Sequence, residues 1–125
     1  MALQALSVRQ LTTTNRRDYR VERHDLTESA QALAEEEAVE LTINNQTIAV
    51  CRTLDGLYAV SGICTHATAS LAEGFVMDQF IECPLHQAQF DLTTGERVSG
   101  PECAALKTYP LTDSDGRVMI DVPDA

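Results

Sequence analysis

The sequence predicts a small all-β domain. Three observations support this fold class: short segments with strand-like alternation, clusters of Asn, Asp and Gly between them, and no long stretch with helical periodicity. The chain has 125 residues, which is the length of a single domain, and 44% of them are hydrophobic. The sequence contains no internal repeat and no low-complexity segment.

The first half of the chain is predicted to contain four strands and one short helical turn. Residues 1–17 lack periodicity and are predicted to form a flexible N-terminal lead-in. Residues 29–40 are rich in Ala and Glu, which favours a short helical turn. Alternation and turn-forming residues predict strands at residues 19–23, 39–43, 48–51 and 57–60, with turns at 44–45 and 55–56.

The second half is predicted to continue as β-structure. Phe75-Val76 and Phe80-Ile81 are apolar pairs on either side of Asp78, and they predict a short hairpin. Further strands are predicted at residues 90–92, 104–111 and 118–122, with turns at 94–96 and 115–116.

The charge of the chain is strongly acidic and unevenly distributed. The formal net charge is −10 at pH 7. Residues 1–24 contain five Arg against two acidic residues, which gives +3, and residues 25–125 contain four basic against seventeen acidic residues, which gives −13. An acidic body would repel phosphates, so we expect no nucleic-acid partner. It suits brief docking on basic proteins, although ordinary solubility accounts for the same charge.

The N-terminal sequence and the cysteine content bear on the compartment. The N-terminal residues contain no apolar core of about 7–15 residues, so we expect neither a signal peptide nor a membrane anchor. A cytoplasmic location is therefore expected. In that compartment, Cys51 and Cys103 are expected to be reduced and packed rather than joined in a disulfide.

Two short motifs carry the chemistry of the sequence. Cys64-Thr65-His66 is followed, after sixteen residues, by Cys83-Pro84-Leu85-His86. Two Cys and two His on two short segments are typical of a metal site. Tetrahedral zinc sites usually take Cys–Cys and His–His pairs, whereas each pair here is mixed. A [2Fe–2S] cluster with two Cys on one iron and two His on the other fits mixed pairs, because each segment then reaches both metals.

The two motifs do not by themselves exclude a different arrangement of these side chains. The four residues are also compatible with a structural zinc site or with uncoordinated packing in a core. The third histidine, His24, has no Cys paired with it, and we expect it at the surface.

The two motifs resemble the ligand boxes of Rieske iron–sulfur proteins. Residues 63–111 resemble the small Rieske ferredoxins that feed bacterial aromatic-ring-hydroxylating dioxygenases, and the wider resemblance covers residues 20–122. It implies an antiparallel β-sandwich at residues 18–125, with a small cluster-binding subdomain at residues 62–101. It also implies one Rieske-type [2Fe–2S] cluster, whose metal ligands are Cys64, His66, Cys83 and His86. Gly100-Pro101 resembles the proline loop that shields the cluster in this family.

The resemblance implies an electron carrier rather than an enzyme. In this family the protein passes one electron at a time from an NAD(P)H-dependent ferredoxin reductase to a terminal ring-hydroxylating oxygenase, and we expect a monomer when it is free. The sequence contains no nucleophile–base pair and no phosphate-binding glycine loop, which agrees with that role. Two alternatives remain: the Rieske small subunit of a nitrite-reductase-like or other oxidoreductase complex, and a zinc-binding interaction module.

Residues near the ligand boxes imply a low reduction potential. High-potential Rieske proteins of cytochrome bc complexes carry an extra Cys pair, for which this chain has Ala69 and Leu85. They also carry a Ser and a Tyr that donate hydrogen bonds to the cluster, for which this chain has Ala88 and Phe90. Such donors stabilise the reduced cluster, so their absence implies a potential below about 0 mV, in a family range of about −150 to +300 mV.

The resemblance also implies a docking face around the exposed edges of His66 and His86, because electron transfer needs a short path. The candidate rim residues are Leu71, Leu85, Gln87 and Pro101. Ordinary packing accounts for the two leucines equally well. Gln87 departs from the family, which usually has Gly just after the second His, and Gly allows backbone conformations that Gln resists.

Overall fold

The computed structural model describes residues 9–13, 20–64 and 69–123; for residues 9–13 and Arg20 it describes the backbone alone. The described residues form twelve strands, the helix α1 (Thr27–Gln31) and a 3₁₀ helix at Leu71–Glu73. In chain order the strands are β1 (Arg9–Thr13), β2 (Arg20–Asp25), β3 (Glu37–Ile43), β4 (Gln46–Thr53), β5 (Gly56–Ser61), β6 (Phe75–Met77), β7 (Phe80–Glu82), β8 (Gln89–Asp91), β9 (Arg97–Ser99), β10 (Thr108–Tyr109), β11 (Leu111–Ser114) and β12 (Arg117–Pro123). The predicted all-β fold class is confirmed.

The strands form three sheets of four strands each. The first sheet has the order β1-β2-β12-β11, the second β10-β5-β4-β3 and the third β6-β7-β8-β9. Every strand pair described in these sheets is antiparallel. The third sheet falls inside the range 62–101 that was predicted to form a separate subdomain, and that division of the chain stays a prediction.

Two hydrophobic cores lie on opposite faces of the second sheet. The first, which we call the sandwich core, joins the first and second sheets through Leu26, Ala30, Ile43, Ile48, Val50, Ala59, Tyr109, Val118, Ile120 and Val122. The other, which we call the loop core, joins the second and third sheets through Ala49, Cys51, Val60, Cys64, Ala69, Leu71, Val76, Ile81, Cys83, Ala88, Phe90, Leu92 and Leu106. The second sheet is therefore the middle layer of the molecule.

β4 is the strand that belongs to both cores. Four consecutive residues of it, from Ile48 to Cys51, have no exposed surface. Because successive side chains of a strand point to opposite faces, Ile48 and Val50 enter the sandwich core, while Ala49 and Cys51 enter the loop core. A strand that is buried on both faces needs this continuous apolar sequence.

Tight turns connect the hairpins where the sequence predicts them. Asn44 and Asn45 between β3 and β4 have φ values of 53° and 62°, and Asp78 between β6 and β7 has a φ of 53°. Asp115 between β11 and β12 has a φ of 54°. Asn and Asp tolerate this left-handed region better than other side chains, and two-residue hairpin turns require it.

The N-terminal region differs from its prediction. Within the predicted flexible lead-in at residues 1–17, Arg9–Thr13 form β1, which pairs with β2 along its whole length. The pairing satisfies backbone groups on the edge of β2 that faces away from β12, and an unpaired edge favours such an addition. Residues 1–8 and 14–19, which hold the rest of that prediction, lie outside the described residues.

Three further elements differ from the sequence expectation. The helical propensity of residues 29–40 yields only the five residues of α1, and β3 begins at Glu37. The predicted strand at residues 104–111 is shorter, because residues 102–107 are irregular before β10. β9 was not predicted at all.

None of the helices in the described part of the chain has the length and hydrophobicity needed to cross a bilayer.

His24 is buried, so the prediction that it lies at the surface is wrong. On β2 it is 3% exposed, and Glu22 on the same face is 8% exposed. The Nε2 atom of His24 lies 3.2 Å from Oε1 of Glu22. In the sheet, His24 is opposite Ile120, whose side chain belongs to the sandwich core. A buried polar side chain needs a partner, and these two residues supply one for each other.

Candidate metal centre

Two loops that carry the Cys/His motifs close with the same hydrogen bond. Ligand loop 1 (residues 64–69) is closed by the amide of Cys64, which donates to the carbonyl of Ala69 over 2.9 Å. Ligand loop 2 (residues 83–88) is closed by the amide of Cys83, which donates to the carbonyl of Ala88, also over 2.9 Å. The two loops therefore have equal length and begin with a Cys at the same place.

The strand pairs at the base of the two loops also correspond. Ile63 and Ser70 form an isolated antiparallel bridge beneath ligand loop 1. Glu82 and Gln89 are the last pair of β7 and β8 beneath ligand loop 2. This backbone repeat was not visible in the sequence, because only the Cys and Ala at the loop ends recur in it. It accounts for the way in which two unequal spacers, one residue in the first box and two in the second, fit loops of the same size.

The thiols of both loops are buried in one apolar environment. Cys64 is 3% exposed and Cys83 is 0% exposed, and both belong to the loop core. Neither forms a disulfide, and Cys51 and Cys103 are free thiols as well, as expected from the sequence. Burial alone does not mark these thiols as ligands, because Cys51 is as deeply buried in the same core; Cys64 and Cys83 differ from it by standing at the start of the two loops that carry His.

The structure describes one of the two motif histidines, His86, and not the other. His66 lies outside the described residues. His86 is half-buried on ligand loop 2, and its Nδ1 atom is shielded from solvent. A ring with one buried nitrogen and one exposed edge is suited to bind a metal on the inside and to face solvent on the outside. The structure thus brings Cys64, Cys83 and His86 to the same end of the molecule.

The described donors around the site are compatible with a two-iron cluster. They are Cys64, Cys83 and His86, because His66 lies outside the described residues. A [2Fe–2S] cluster takes its ligands as two separated pairs on two irons, so its thiols and imidazoles need no common centre. Two buried thiols and an inward-facing imidazole nitrogen match that donor set.

Apolar side chains form the wall behind the ligand loops. Ala88 and Phe90 are both fully buried in the loop core that contains Cys83. They are the two residues that stand where high-potential Rieske proteins have hydroxyl donors, and the lack of donors to the cluster stays a prediction. Leu71 is also fully buried, so its predicted place on a docking rim is wrong and its packing role is correct. Its side chain packs in the loop core, and its amide donates to the carbonyl of Gly62 over 2.8 Å.

The other predicted rim residues are at the surface. Leu85 is 67% exposed at the outer end of ligand loop 2, and Gln87 and Pro101 are also exposed. Ile63, which was not among the predicted rim residues, is 39% exposed at the base of ligand loop 1. Ligand loop 2 therefore presents an exposed apolar side chain, Leu85, together with the polar Gln87.

Gln87 keeps a backbone conformation that normally favours glycine. Its φ is 61°, and its amide donates to the carbonyl of Cys83 over 3.0 Å. The left-handed turn therefore belongs to the loop itself, because it is present although the residue is not Gly. The side chain of Gln87 is exposed, so it meets no close neighbour that would add to the strain of its backbone.

A third segment, which we call the cover loop (residues 100–103), packs on ligand loop 2. Gly100 has a φ of 87°, and a Cβ atom at this position would lie 2.7 Å from Cα of Ala88 and 2.8 Å from the carbonyl oxygen of Gln87. Arg97 donates from Nη1 to the carbonyl of Gly100 over 3.0 Å. Gly100-Pro101 was predicted to be a shielding loop from the sequence, whereas Arg97 was missed.

A comparison with protein families decides the classification. The family model described as the Rieske [2Fe–2S] domain matches residues 24–110, which is well over half of the chain. The chain belongs to the Rieske [2Fe–2S] domain family. Its cofactor is accordingly one Rieske-type [2Fe–2S] cluster, and the donor set described above fits that cofactor. A Rieske domain also accounts for the three-layer β-fold.

Relatives of this Rieske domain are ferredoxins. The ferredoxin component of a naphthalene 1,2-dioxygenase system from Pseudomonas aeruginosa is 36% identical over 90 residues, which cover 72% of this chain and 86% of the relative. The solved Sphingomonas yanoikuyae B1 ferredoxin has a TM-score of 0.69 and 33% identity, and the match covers 75% of this chain and 93% of that one. A chain in the complex of reduced oxygenase and oxidized ferredoxin in carbazole 1,9a-dioxygenase has a TM-score of 0.67 and 30% identity, covering 73% and 85% respectively.

The strain at Gln87 leads to a stability prediction. Gln87→Gly should raise the free energy of unfolding by up to about 1 kcal/mol, because the relief of a left-handed non-Gly residue exceeds the entropy cost of Gly. Gln87→Val should lower it by about 1–2 kcal/mol, because a β-branched side chain tolerates this region least. Chemical denaturation of the loaded protein measures both changes. Gln89→Gly is the matched control on β8 and should be destabilising; a destabilising Gln87→Gly would contradict the strain assigned to this position.

The two cysteines outside the ligand loops should differ in reactivity. Burial raises the pKa of the Cys51 thiol from its ordinary 9.0 to about 12, whereas Cys103 is half-buried. At pH 8, N-ethylmaleimide should therefore modify Cys103 in the folded protein and leave Cys51 unmodified, as mass spectrometry of peptides would report. Denaturation should expose both thiols. Equal labelling rates of the two thiols in the folded state would refute this assignment.

The same pKa shift fixes a pH dependence. The folded state keeps the Cys51 proton between pH 9.0 and about 12, where the unfolded thiol loses it. The folded state therefore binds more protons in that window, and the contribution of Cys51 to stability should decrease as the pH rises through it.

Proposed function

We propose that this Rieske protein is a one-electron carrier that accepts electrons from an NAD(P)H-dependent ferredoxin reductase and delivers them to a terminal aromatic-ring-hydroxylating oxygenase. The observation that carries the proposal is the half-buried His86, whose Nδ1 is shielded from solvent, on the loop that also holds the buried Cys83 and the exposed Leu85. A centre bound by His86 would therefore lie close to the protein surface. Short distance to the surface is what rapid transfer between proteins requires.

We assign the cluster ligands as Cys64 and Cys83 on one iron and His66 and His86 on the other. The bound cluster supplies a site that takes up and releases one electron. The chain itself would do three things: Cys64 and Cys83 would anchor the cluster from the buried side, the closing hydrogen bonds of the ligand loops would hold these residues in place, and His86 would bind from the side nearer to the surface. The equal size of the two loops supports this pairing, because it places the Cys residues at equivalent positions.

The surroundings of the ligand loops support a low reduction potential. Ala88 and Phe90 present no hydroxyl to the site, so the extra negative charge of the reduced cluster receives less stabilisation there. A potential below about 0 mV, near the lower part of the Rieske range, follows. Such a carrier passes electrons from a reduced flavin or iron–sulfur reductase toward an oxygenase, and it is poorly suited to oxidise a quinol.

The exposed surface around His86 supports brief docking. Leu85 on ligand loop 2 and Ile63 at the base of ligand loop 1 are exposed apolar side chains, and Gln87 and Pro101 are exposed as well. The net charge of −13 over residues 25–125 would speed the approach of partners with a basic docking face. We infer that the reductase and the oxygenase use this surface in turn, and that the free protein is a monomer. Similarity to ferredoxin components favours this role over that of an oxidoreductase small subunit or a zinc module.

Reduction of the purified protein tests the proposed function. In a dithionite titration the protein should take up one electron per chain. The EPR spectrum of the reduced protein should then show the low average g value of mixed His/Cys ligation. The reduced protein should then be reoxidised by the oxygenase component of a naphthalene 1,2-dioxygenase system in the presence of naphthalene and oxygen. Cys83→Ser and His86→Ala should abolish the signal, whereas Cys103→Ser, the matched control, should keep it. A colourless protein that contains zinc and no iron would reject the proposal.

Phe90 offers a separate test of the low potential. Phe90→Tyr places a hydroxyl at the position where high-potential Rieske proteins have one, and a new hydrogen bond to the cluster should raise the potential by roughly 40–90 mV, since about 59 mV corresponds to a tenfold change for one electron. Protein-film voltammetry measures the shift. Phe90→Leu should lower stability and leave the potential near its original value. An unchanged potential in Phe90→Tyr would show that the missing hydroxyl at this position does not set the potential.

A further inference from the structure

We propose that Arg97 is a positioning residue for the cluster, because its guanidinium holds the cover loop against ligand loop 2. The inference rests on the proposed role of ligand loop 2 as a carrier of cluster ligands. It concerns a side chain that neither the motifs nor the ligand boxes include. Arg97 acts through Gly100 rather than by contact with the cluster.

The first step is the contact between the cover loop and ligand loop 2. Gly100 lies so close to Gln87 and Ala88 that even a single methyl group would meet backbone atoms of both at less than 3 Å. The carbonyl of the same Ala88 accepts the hydrogen bond from the amide of Cys83. A displacement of Gly100 would therefore shift Ala88 and weaken the hydrogen bond from the Cys83 amide that closes ligand loop 2.

The second step is the attachment of the cover loop. The Nη1 atom of Arg97 donates to the carbonyl of Gly100 over 3.0 Å, three residues further along the chain. Arg97 stands on β9 opposite Phe90, a fully buried residue of the loop core. The hydrogen bond thus attaches the irregular cover loop to the third sheet, which is held by its strand pairing.

The local backbone shows why the side chain is needed. The pairing of β8 with β9 shifts register between Gln89 and Phe90, so Gln89 is opposite Ser99 while Phe90 is opposite Arg97. The shift inserts Val98 as an extra residue, and Val98 is 46% exposed. A bulge bends its strand. Here the bend lies between Arg97 and the cover loop, so the Arg97 guanidinium is a second attachment of the cover loop beside the Gln89–Ser99 pair.

The charge of Arg97 adds a second effect at the same place. Residues 62–101 contain one basic residue, Arg97, and five acidic residues: Glu73, Asp78, Glu82, Asp91 and Glu96. A positive charge near the site favours the reduced cluster, which is more negative than the oxidised one. Arg97 therefore positions the cover loop by geometry and opposes the acidic surroundings by charge, and substitutions can separate the two.

Arg97→Gln and Arg97→Lys separate the geometric effect from the charge effect in the loaded, full-length protein. Arg97→Gln removes the charged donor, so loss of the visible absorbance in EDTA should become about 3- to 10-fold faster. Hydrogen exchange of peptides that contain residues 83–88, followed by mass spectrometry, should also become faster. Arg97→Lys keeps the charge but not the planar fork. Its reduction potential should therefore lie closer to the wild-type value than that of Arg97→Gln, while its rate of cluster loss should recover less.

Arg117→Gln is the matched control, because it removes the same charge on β12, where the guanidinium contacts Asp25 on the first sheet. It should leave cluster loss and exchange at residues 83–88 unchanged. Equal effects of Arg117→Gln and Arg97→Gln would show that net charge alone matters, and would overturn the proposal. The proposal would also be overturned if Arg97→Gln kept the wild-type rates of hydrogen exchange and of cluster loss.

Gly100→Ala tests the contact from the other side. Its Cβ would press on the Gln87–Ala88 peptide at a positive φ, so cluster loss should be faster than in Arg97→Gln. If this variant does not fold, the Arg97 variants still decide the question. None of these measurements involves a partner protein. If the proposed electron delivery to an oxygenase were wrong, the measurements of cluster loss and hydrogen exchange would still decide the role of Arg97.

Discussion

The hydrogen bond that closes each ligand loop is the constraint on which the rest of the structure depends. An amide of a buried Cys donates to the carbonyl of an Ala five residues later in both loops. This bond fixes the distance between the ends of each loop, and with it the direction of the Cys side chain. The strands that flank the loops, the core beneath them and the cover loop beside them all act to keep these two bonds formed.

The middle sheet gives that constraint its rigidity. β4 and β5 present one set of side chains to the sandwich core and the alternate set to the loop core. The first sheet therefore stabilises the ligand loops indirectly, through a sheet that is packed on both sides. Close-packed interiors contain few voids, so they leave little room for side chains to shift. A buried centre in such a frame changes its geometry little when its charge changes, which favours rapid electron transfer.

The hairpins and the ligand motifs could be predicted from the sequence because their signals are local. Asn44-Asn45 and Asp78 mark turns by their own backbone preferences, and the Cys/His spacing predicts a metal site from the residue types alone. The position of His24 could not be predicted in the same way. Its burial depends on Glu22 two residues earlier and on Ile120 across the sheet, which are brought together only by the fold.

The same distinction accounts for the remaining differences. Leu71 looked equally suited to a rim and to a core, and its place is set by packing against loop-core residues that come from distant parts of the chain. Arg97 carries no motif, and its importance comes from a carbonyl and a glycine that pack on another loop. β1 lacks a strong pattern of its own and pairs with an edge that β2 offers. Each of these features depends on contacts between distant segments rather than on local residue type.

The burial of Cys51 has a consequence for how the cluster is assembled. Iron binds the thiolate form of cysteine, and the pKa of about 12 keeps the Cys51 thiol protonated inside the middle layer. In the folded protein Cys51 is therefore a poor ligand for iron, because binding would first require the loss of a proton that burial makes hard to remove.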